Sequence, residues 1–141
     1  MIVRPWKPGD TQKLELQPSQ QYLVEMGLLD VDLTELSEHA LAWVIEEDGE
    51  IFVIAGLAPQ WENRALIWSY VSKNAGRHFR KIHKIANRFL DQADYRRIEA
   101  TVDVGFEAGV RWIEMLGFKY EGYMKAYRPD GADMLLYARV R

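Results

Sequence analysis

Residues Trp112 to Met124 read Trp-Ile-Glu-Met-Leu-Gly-Phe-Lys-Tyr-Glu-Gly-Tyr-Met, and the hydrophobic period changes within them. Trp112, Met115 and Leu116 fall on one side of a helix. Gly117 supplies the left-handed residue that closes it, and from Phe118 the chain alternates as a strand. A helix over Phe106 to Leu116 must therefore turn into a strand over Phe118 to Ala126 at a single glycine. Together with the order of the other elements, that corner points to a mixed sheet with helices packed on it.

The rest of the chain supplies such a sheet. Met1 to Arg4 is a short strand, Asp10 is placed to cap a helix from Thr11, and Pro18 suits the first turn of a second helix through Tyr22, Leu23 and Met26. Gly27 ends that helix, and Asp32 to His39 forms another short one. Ala40 to Glu47 and Glu50 to Leu57 are apolar runs joined by Asp48-Gly49, a hairpin signal. Pro59 to Asn63 makes the next turn and Arg64 to Val71 the next strand. Ala75 to about Gln92 follows helical spacing, with Phe79, Ile82, Ile85, Ala86, Phe89 and Leu90 on one face. Arg97 to Asp103 alternates, and Asp133 to Arg139 pairs with Phe118 to Ala126 across Pro129-Asp130-Gly131. The expected fold class is α/β with a mixed sheet: an antiparallel meander, a parallel crossover that sets Arg97 to Asp103 beside Arg64 to Val71, and helices on both faces.

The chain has 141 residues, enough for one domain with a sizeable core and too few for two, so residues 1–141 are expected to form a single domain. It contains no cysteine, which excludes disulfides and thiolate metal sites. The first ten residues carry no apolar run of signal-peptide length, and no stretch approaches a membrane span. A cytoplasmic protein without a membrane partner is expected. The net charge of −3 hides a segregation. No Lys or Arg occurs between Leu14 and Asn63, where acids recur from Glu15 to Glu62, whereas Lys73 to Arg97 is strongly basic. An acidic total without interleaved basic and aromatic residues disfavours nucleic acid as a partner.

The element order, with Glu114-x-Leu116-Gly117-Phe118 and then Glu121-Gly122, resembles the GNAT N-acetyltransferases over nearly the whole chain. The pattern is most similar to the ribosomal-protein N-terminal acetyltransferase branch. Arg4-Pro5 followed by Asp10 also resembles the opening of many GNAT chains. The resemblance implies a GNAT-like acyl-CoA N-acyltransferase fold and acetyl-CoA as cofactor. In that family the turn after the fourth strand holds the pyrophosphate with backbone N–H groups at a helix start. The matching stretch is Lys73-Asn74-Ala75-Gly76-Arg77-His78. The resemblance therefore places cofactor binding at Val71, Lys73, Asn74, Gly76, Arg77 and His78. His78 departs from the pattern, which has a small residue there. Its ring is expected to point aside, to donate to phosphate, or to block the turn. Arg77, Lys81, Lys84 and Arg88 share one helix face by spacing, with Lys84 and Arg88 read as solvated.

Many members of the family place an Asn at the start of the helix before the Gly-Phe corner and a proton-donating Tyr near its end. Here those positions are Phe106 and Ile113, and neither side chain can transfer a proton. Gly109 stands where the ribosomal-protein branch often has a small residue. No catalytic residue is assigned. Glu62, beside the fourth strand, is a candidate base whose simpler reading is a solvated turn acid. His39, His78 and His83 lack ligand spacing, so no metal site is expected. Trp43, Trp68 and Trp112 are read as core, and Trp6 and Trp61 as residues lining a groove.

The resemblance leaves two readings. In one, acetyl is transferred from acetyl-CoA to a cationic amine, such as a peptide N-terminus, a lysine or a polyamine, which suits the acidic first half. In the other, the chain is a catalytically degenerate relative with a structural or virion-assembly role. Arg97-Ile-Glu-Ala-Thr-Val-Asp, Gly109-Val-Arg-Trp, Tyr127-Arg-Pro-Asp-Gly and Leu136-Tyr-Ala-Arg look like segments of GNAT-like proteins of tailed phages and prophages. Its partner would then be a phage structural protein, in a bacterial host cell or on the virion.

Overall fold

The computed structural model describes residues 1–141. Seven strands form one mixed sheet in the order β1-β2-β3-β4-β5-β7-β6. They are β1 (Ile2–Pro5), β2 (Ala42–Glu47), β3 (Glu50–Trp61), β4 (Arg64–Val71), β5 (Arg97–Asp103), β6 (Lys119–Met124) and β7 (Met134–Val140). Five helices intervene: α1 (Asp10–Lys13), α2 (Gln21–Glu25), α3 (Thr34–Glu38), α4 (Phe79–Gln92) and α5 (Glu107–Met115). Two 3-10 turns, Pro18–Gln20 and Ala75–His78, precede α2 and α4. The one parallel ladder aligns Arg64, Ala65 and Leu66 of β4 with Arg97, Ile98 and Glu99 of β5, as the crossover predicted. No helix is long and apolar enough to cross a membrane.

The chain divides into two compact units. The first comprises residues 1–58 and 68–85, the second residues 59–67 and 86–141. In the first, Trp6, Leu14, Leu16, Leu33, Ala42, Val44, Ile51 and Ile54 form a buried cluster, with Leu29, Leu36, Trp68 and Tyr70 packed on it. Trp6 does not line a groove. It is buried in that cluster, and its indole N–H donates to Thr11 Oγ1 at 3.1 Å, the partner a buried indole needs. Asp10 does not cap α1 through its side chain. Instead it is fully buried, accepting two bonds from the Arg4 guanidinium (2.8 and 2.9 Å) and one from the Lys7 N–H (2.7 Å). Burial pushes the Asp10 carboxyl up, but these donors outweigh it and hold the group below the usual range.

The turns follow their local chemistry. Asp48 and Gly49 both adopt positive φ (52° and 79°), the twist a two-residue hairpin requires. β3 runs through Pro59 to Trp61, where the sequence suggested a turn. Its ladder with β2 ends at Ala42↔Gly56, so the missing N–H of Pro59 lies past the end of that ladder. The turn shrinks to Glu62-Asn63, with Asn63 at φ 67°. Ala40 does not begin a strand. The Leu41 N–H bonds Leu36 O (2.7 Å) and the Ala40 N–H bonds Ser37 O (3.0 Å), which closes α3 with Ala40 left-handed at φ 56°. The predicted corner has the same bonding: Phe118 N–H to Ile113 O (3.1 Å), Gly117 N–H to Glu114 O (3.0 Å), with Gly117 at φ 87°.

In the second unit, β5, β7 and β6 form a continuous antiparallel ribbon. The β6 register shifts between Tyr120 and Gly122, which marks Glu121 as the bulge residue. Glu121 bonds Arg97 through both carboxylate oxygens (2.5 and 3.0 Å), and Arg97 also bonds Glu99 (2.7 Å). Glu99, 6% exposed, accepts two further bonds from Arg64 (2.5 and 2.9 Å). The Arg64 bonds outweigh burial, and with help from Arg97 they hold the Glu99 carboxyl at about 2.

Two outcomes are expected. Ala40→Gly relieves the left-handed strain and raises unfolding free energy by about 0.5–1 kcal/mol, net of the added entropy of the unfolded chain, measured by urea titration. Because the folded-state pKa of Glu99 lies below its unfolded value, its contribution is complete above about pH 4.5 and is lost as pH falls towards 2. Glu99→Gln should therefore cost about 2–3 kcal/mol at pH 7 and converge on the parent stability in acid. A constant difference between the two proteins from pH 7 to pH 2 contradicts this.

Candidate functional site

The end of β4, the turn after it and the start of α4 all lie in the first unit. Ser72 anchors the turn. It is buried, its N–H donates to Phe52 O (2.8 Å), its Oγ accepts the Asn74 N–H (3.0 Å), and its carbonyl accepts the Ala75 N–H (3.1 Å). The Lys73 N–H donates to Glu15 O (2.8 Å), and the exposed Lys73 ammonium stands 3.3 Å from the Glu15 carboxylate. The Asn74 amide reaches Glu50 at 2.9 Å and Glu15 at 3.4 Å. The N–H groups of Lys73, Asn74 and Ala75 are thus engaged within the protein. Both peptide groups of Val71 are engaged too, its N–H by Gln20 Oε1 and its carbonyl by the Gln17 N–H, each at 2.9 Å.

The outward side of the turn differs. Apart from its own neighbours in the chain, nothing lies within 4 Å of the point where a Cβ on Gly76 would stand. Gly76 and Arg77 are exposed, and the Arg77 guanidinium has no ion-pair partner. His78 points aside, the first of the three placements open to it. Its ring is half-buried, 4.5 Å from the Phe52 ring, with Nδ1 at 3.4 Å from Glu47 Oε2. Lys81 donates to the other Glu47 oxygen at 3.3 Å, and this bond, with that from the chain's first amine, draws the Glu47 carboxyl below its usual range. Ala75 to His78 wind as a 3-10 turn, so the α-helix proper begins at Phe79. Lys84 and Arg88 are exposed.

In the second unit, Phe106 is the residue before α5, and its ring lies against Gly109, where an added Cβ would come within 2.6 Å of it. Ile113 is half-buried in α5. Neither position presents a proton donor. Glu62 is exposed at the β3–β4 turn. Trp61 is 67% exposed, with the Arg64 guanidinium 4.3 Å above its ring. Sequence reasoning missed Gln17 and Gln20, because a glutamine that pairs with a distant strand has no periodic signature. It also missed the Asn74–Glu50 link for the same reason.

The architecture is that of solved N-acetyltransferases. It is similar to a ribosomal-protein-alanine N-acetyltransferase from Brucella melitensis, with a TM-score of 0.72 and 16% identity over 100% of both chains. A GNAT-family acetyltransferase from Bacillus anthracis gives 0.68 at 15% identity, over 98% of this chain and 93% of that one. A variant of the spermidine N-acetyltransferase from Vibrio cholerae gives 0.69 at 16% identity, over 99% and 95%. No family model matches the sequence, and no curated protein matches it. At these identities the likeness establishes that the chain has the GNAT fold.

Removing the Ser72 hydroxyl tests the anchor of the turn. Ser72→Ala leaves the Asn74 N–H without its acceptor, which should cost about 1–2 kcal/mol in urea titration and speed hydrogen exchange at Asn74. Exchange unchanged at Asn74 would show that the hydroxyl does not hold the turn.

Proposed function

We propose that this protein binds acetyl-CoA and transfers its acetyl group to a cationic amine. The observation that carries the reading is the GNAT fold along the full chain, with an exposed Gly-Arg turn at the end of β4. The fit of the turn to phosphates is mixed but workable. Gly76 lets a phosphate approach the backbone, and Arg77 and Lys73 supply charge. The N–H groups of Lys73, Asn74 and Ala75 become donors only after rearrangement. His78, held by Phe52 and Glu47, leaves the outer face of the turn clear.

Bound acetyl-CoA supplies an activated acyl group. A deprotonated amine attacks the thioester carbonyl carbon, the C–N bond forms as the C–S bond breaks, the thiolate departs, and the amine proton passes to water. Neither Phe106 nor Ile113 carries an acidic proton, and direct attack of an amine on a thioester depends mainly on positioning. Asp30, Asp32 and Glu35, exposed in the segment free of Lys and Arg, favour a positively charged acceptor through their field. Peptide N-termini, lysines and polyamines share that chemistry.

The test is release of free thiol from acetyl-CoA in the presence of cationic peptides and polyamines. Turnover above hydrolysis is expected, falling at least about tenfold in Gly76→Trp, whose ring covers the open face of the turn while position 76 stays solvent-exposed. Absence of both turnover and acetyl-CoA binding would falsify the reading and favour a structural role without catalysis.

A further inference from the structure

A β-strand presents its peptide groups to alternate edges, and Ser72 sends its N–H to Phe52 of β3. Ser69, Val71 and Lys73 therefore face the other edge, the one that joins β5 at Arg64 to Leu66. At this end the partner is an earlier piece of the same chain. The Gln17 N–H donates to Val71 O and the Lys73 N–H to Glu15 O, on either side of an antiparallel Leu16–Ser72 bridge. Next along the edge, the Gln20 carboxamide accepts from the Val71 N–H (2.9 Å) and donates to Ser69 O (2.8 Å). A side-chain amide thus occupies the place of a peptide unit in a neighbouring strand.

The two ends of this strap are held differently. Leu14 and Leu16 are buried in the core cluster. The 3-10 turn Pro18–Gln20 and the five-residue α2 contain no buried residue, and neither has a side-chain cap. Helical segments this short are unstable on their own. The Ser19 hydroxyl is buried without a hydrogen-bond partner in the protein, so no side-chain bond from it ties the turn down. Three glutamines brace the strap: Gln17 Nε2 donates to Gln20 Oε1 (3.1 Å), and Gln21 Nε2 donates to Leu16 O (2.9 Å).

We infer that residues 17–20 are a displaceable strap, which competes for the Ser69–Val71 edge with an extended ligand carrying secondary amides. This rests on the acetyl-CoA reading, in which Val71 is a cofactor residue and acetyl-CoA brings such amides in its arm. The two occupants exclude each other, because Val71 has one N–H and its partner is already Gln20. Cofactor affinity is then set by how readily the strap lets go.

The experiment uses the full chain with Gln20→Ala and Gln20→Met, the second keeping side-chain bulk. Hydrogen exchange at Val71, without ligand, is expected to rise about tenfold in both, while Ser72, bonded to β3, is unaffected. Calorimetry is expected to show acetyl-CoA binding both variants about five- to tenfold more tightly than the parent, in line with loss of one competing amide pair. Unchanged exchange at Val71 overturns the strap. Faster exchange with equal affinity in all three proteins overturns the competition and leaves the acetyl-CoA reading standing. Binding to none of them overturns the acetyl-CoA reading itself and the competition with it.

Discussion

A peptide group shut away from water without a partner costs about as much as a lost hydrogen bond, and β4 carries such groups along both edges. β3 takes one edge. The other is shared by β5, which pairs over Arg64 to Leu66, and by the chain around Leu16, which pairs over Val71 to Lys73. That division explains why the first unit gathers sequence-distant pieces: residues 14 to 20 must lie beside residues 69 to 73 for the strand to be satisfied. Leu14 and Leu16 bury their side chains in the same stroke. The turn after β4 inherits its shape from this arrangement, since Lys73 is tied to Glu15 on one side and Ser72 to Phe52 on the other.

The second unit relies on charge. Four side chains from three strands alternate in sign, Arg64–Glu99–Arg97–Glu121, and the two arginines more than offset the upward push of burial on the Glu99 carboxyl. Removing Arg64 would leave Glu99 buried with one of its three hydrogen bonds, and removing Arg97 would leave it with two. The bulge at Glu121 serves the network directly, because it turns that side chain towards Arg97. A surface ion pair contributes little, but a chain of bidentate contacts around a 6% exposed carboxylate is a different case.

Much of this was legible in the residues. The Gly117 corner, the Asp48-Gly49 hairpin, the strands Arg64–Val71 and Arg97–Asp103 and their parallel pairing all follow from period, turn chemistry and resemblance. The errors have physical causes. Pro59 reads as a turn until the length of the β2 ladder is known, and Ala40 reads as strand because alanine rarely closes a helix. Asp10 has the identity of a cap but spends its oxygens on Arg4 and Lys7. Trp6 looks like a surface aromatic beside a turn, and only the fold shows it buried. The resemblance points to the turn Lys73 to His78 but says nothing of its hydrogen-bond pattern, because Glu15, Gln17 and Gln20 lie more than fifty residues away in sequence.

The contact between Phe106 and Gly109 bears on how this chain can change. A side chain at position 109 collides with the ring, and a smaller residue at position 106 uncovers the helix backbone beside the glycine. The two sites are therefore coupled, and the order of replacement matters. Phe106 must give way before anything larger than glycine can enter position 109, and in the reverse direction glycine must be back at 109 before a phenylalanine can return to 106. In both directions the chemistry at the head of α5 changes through an intermediate with glycine at 109 and no phenylalanine ring at 106.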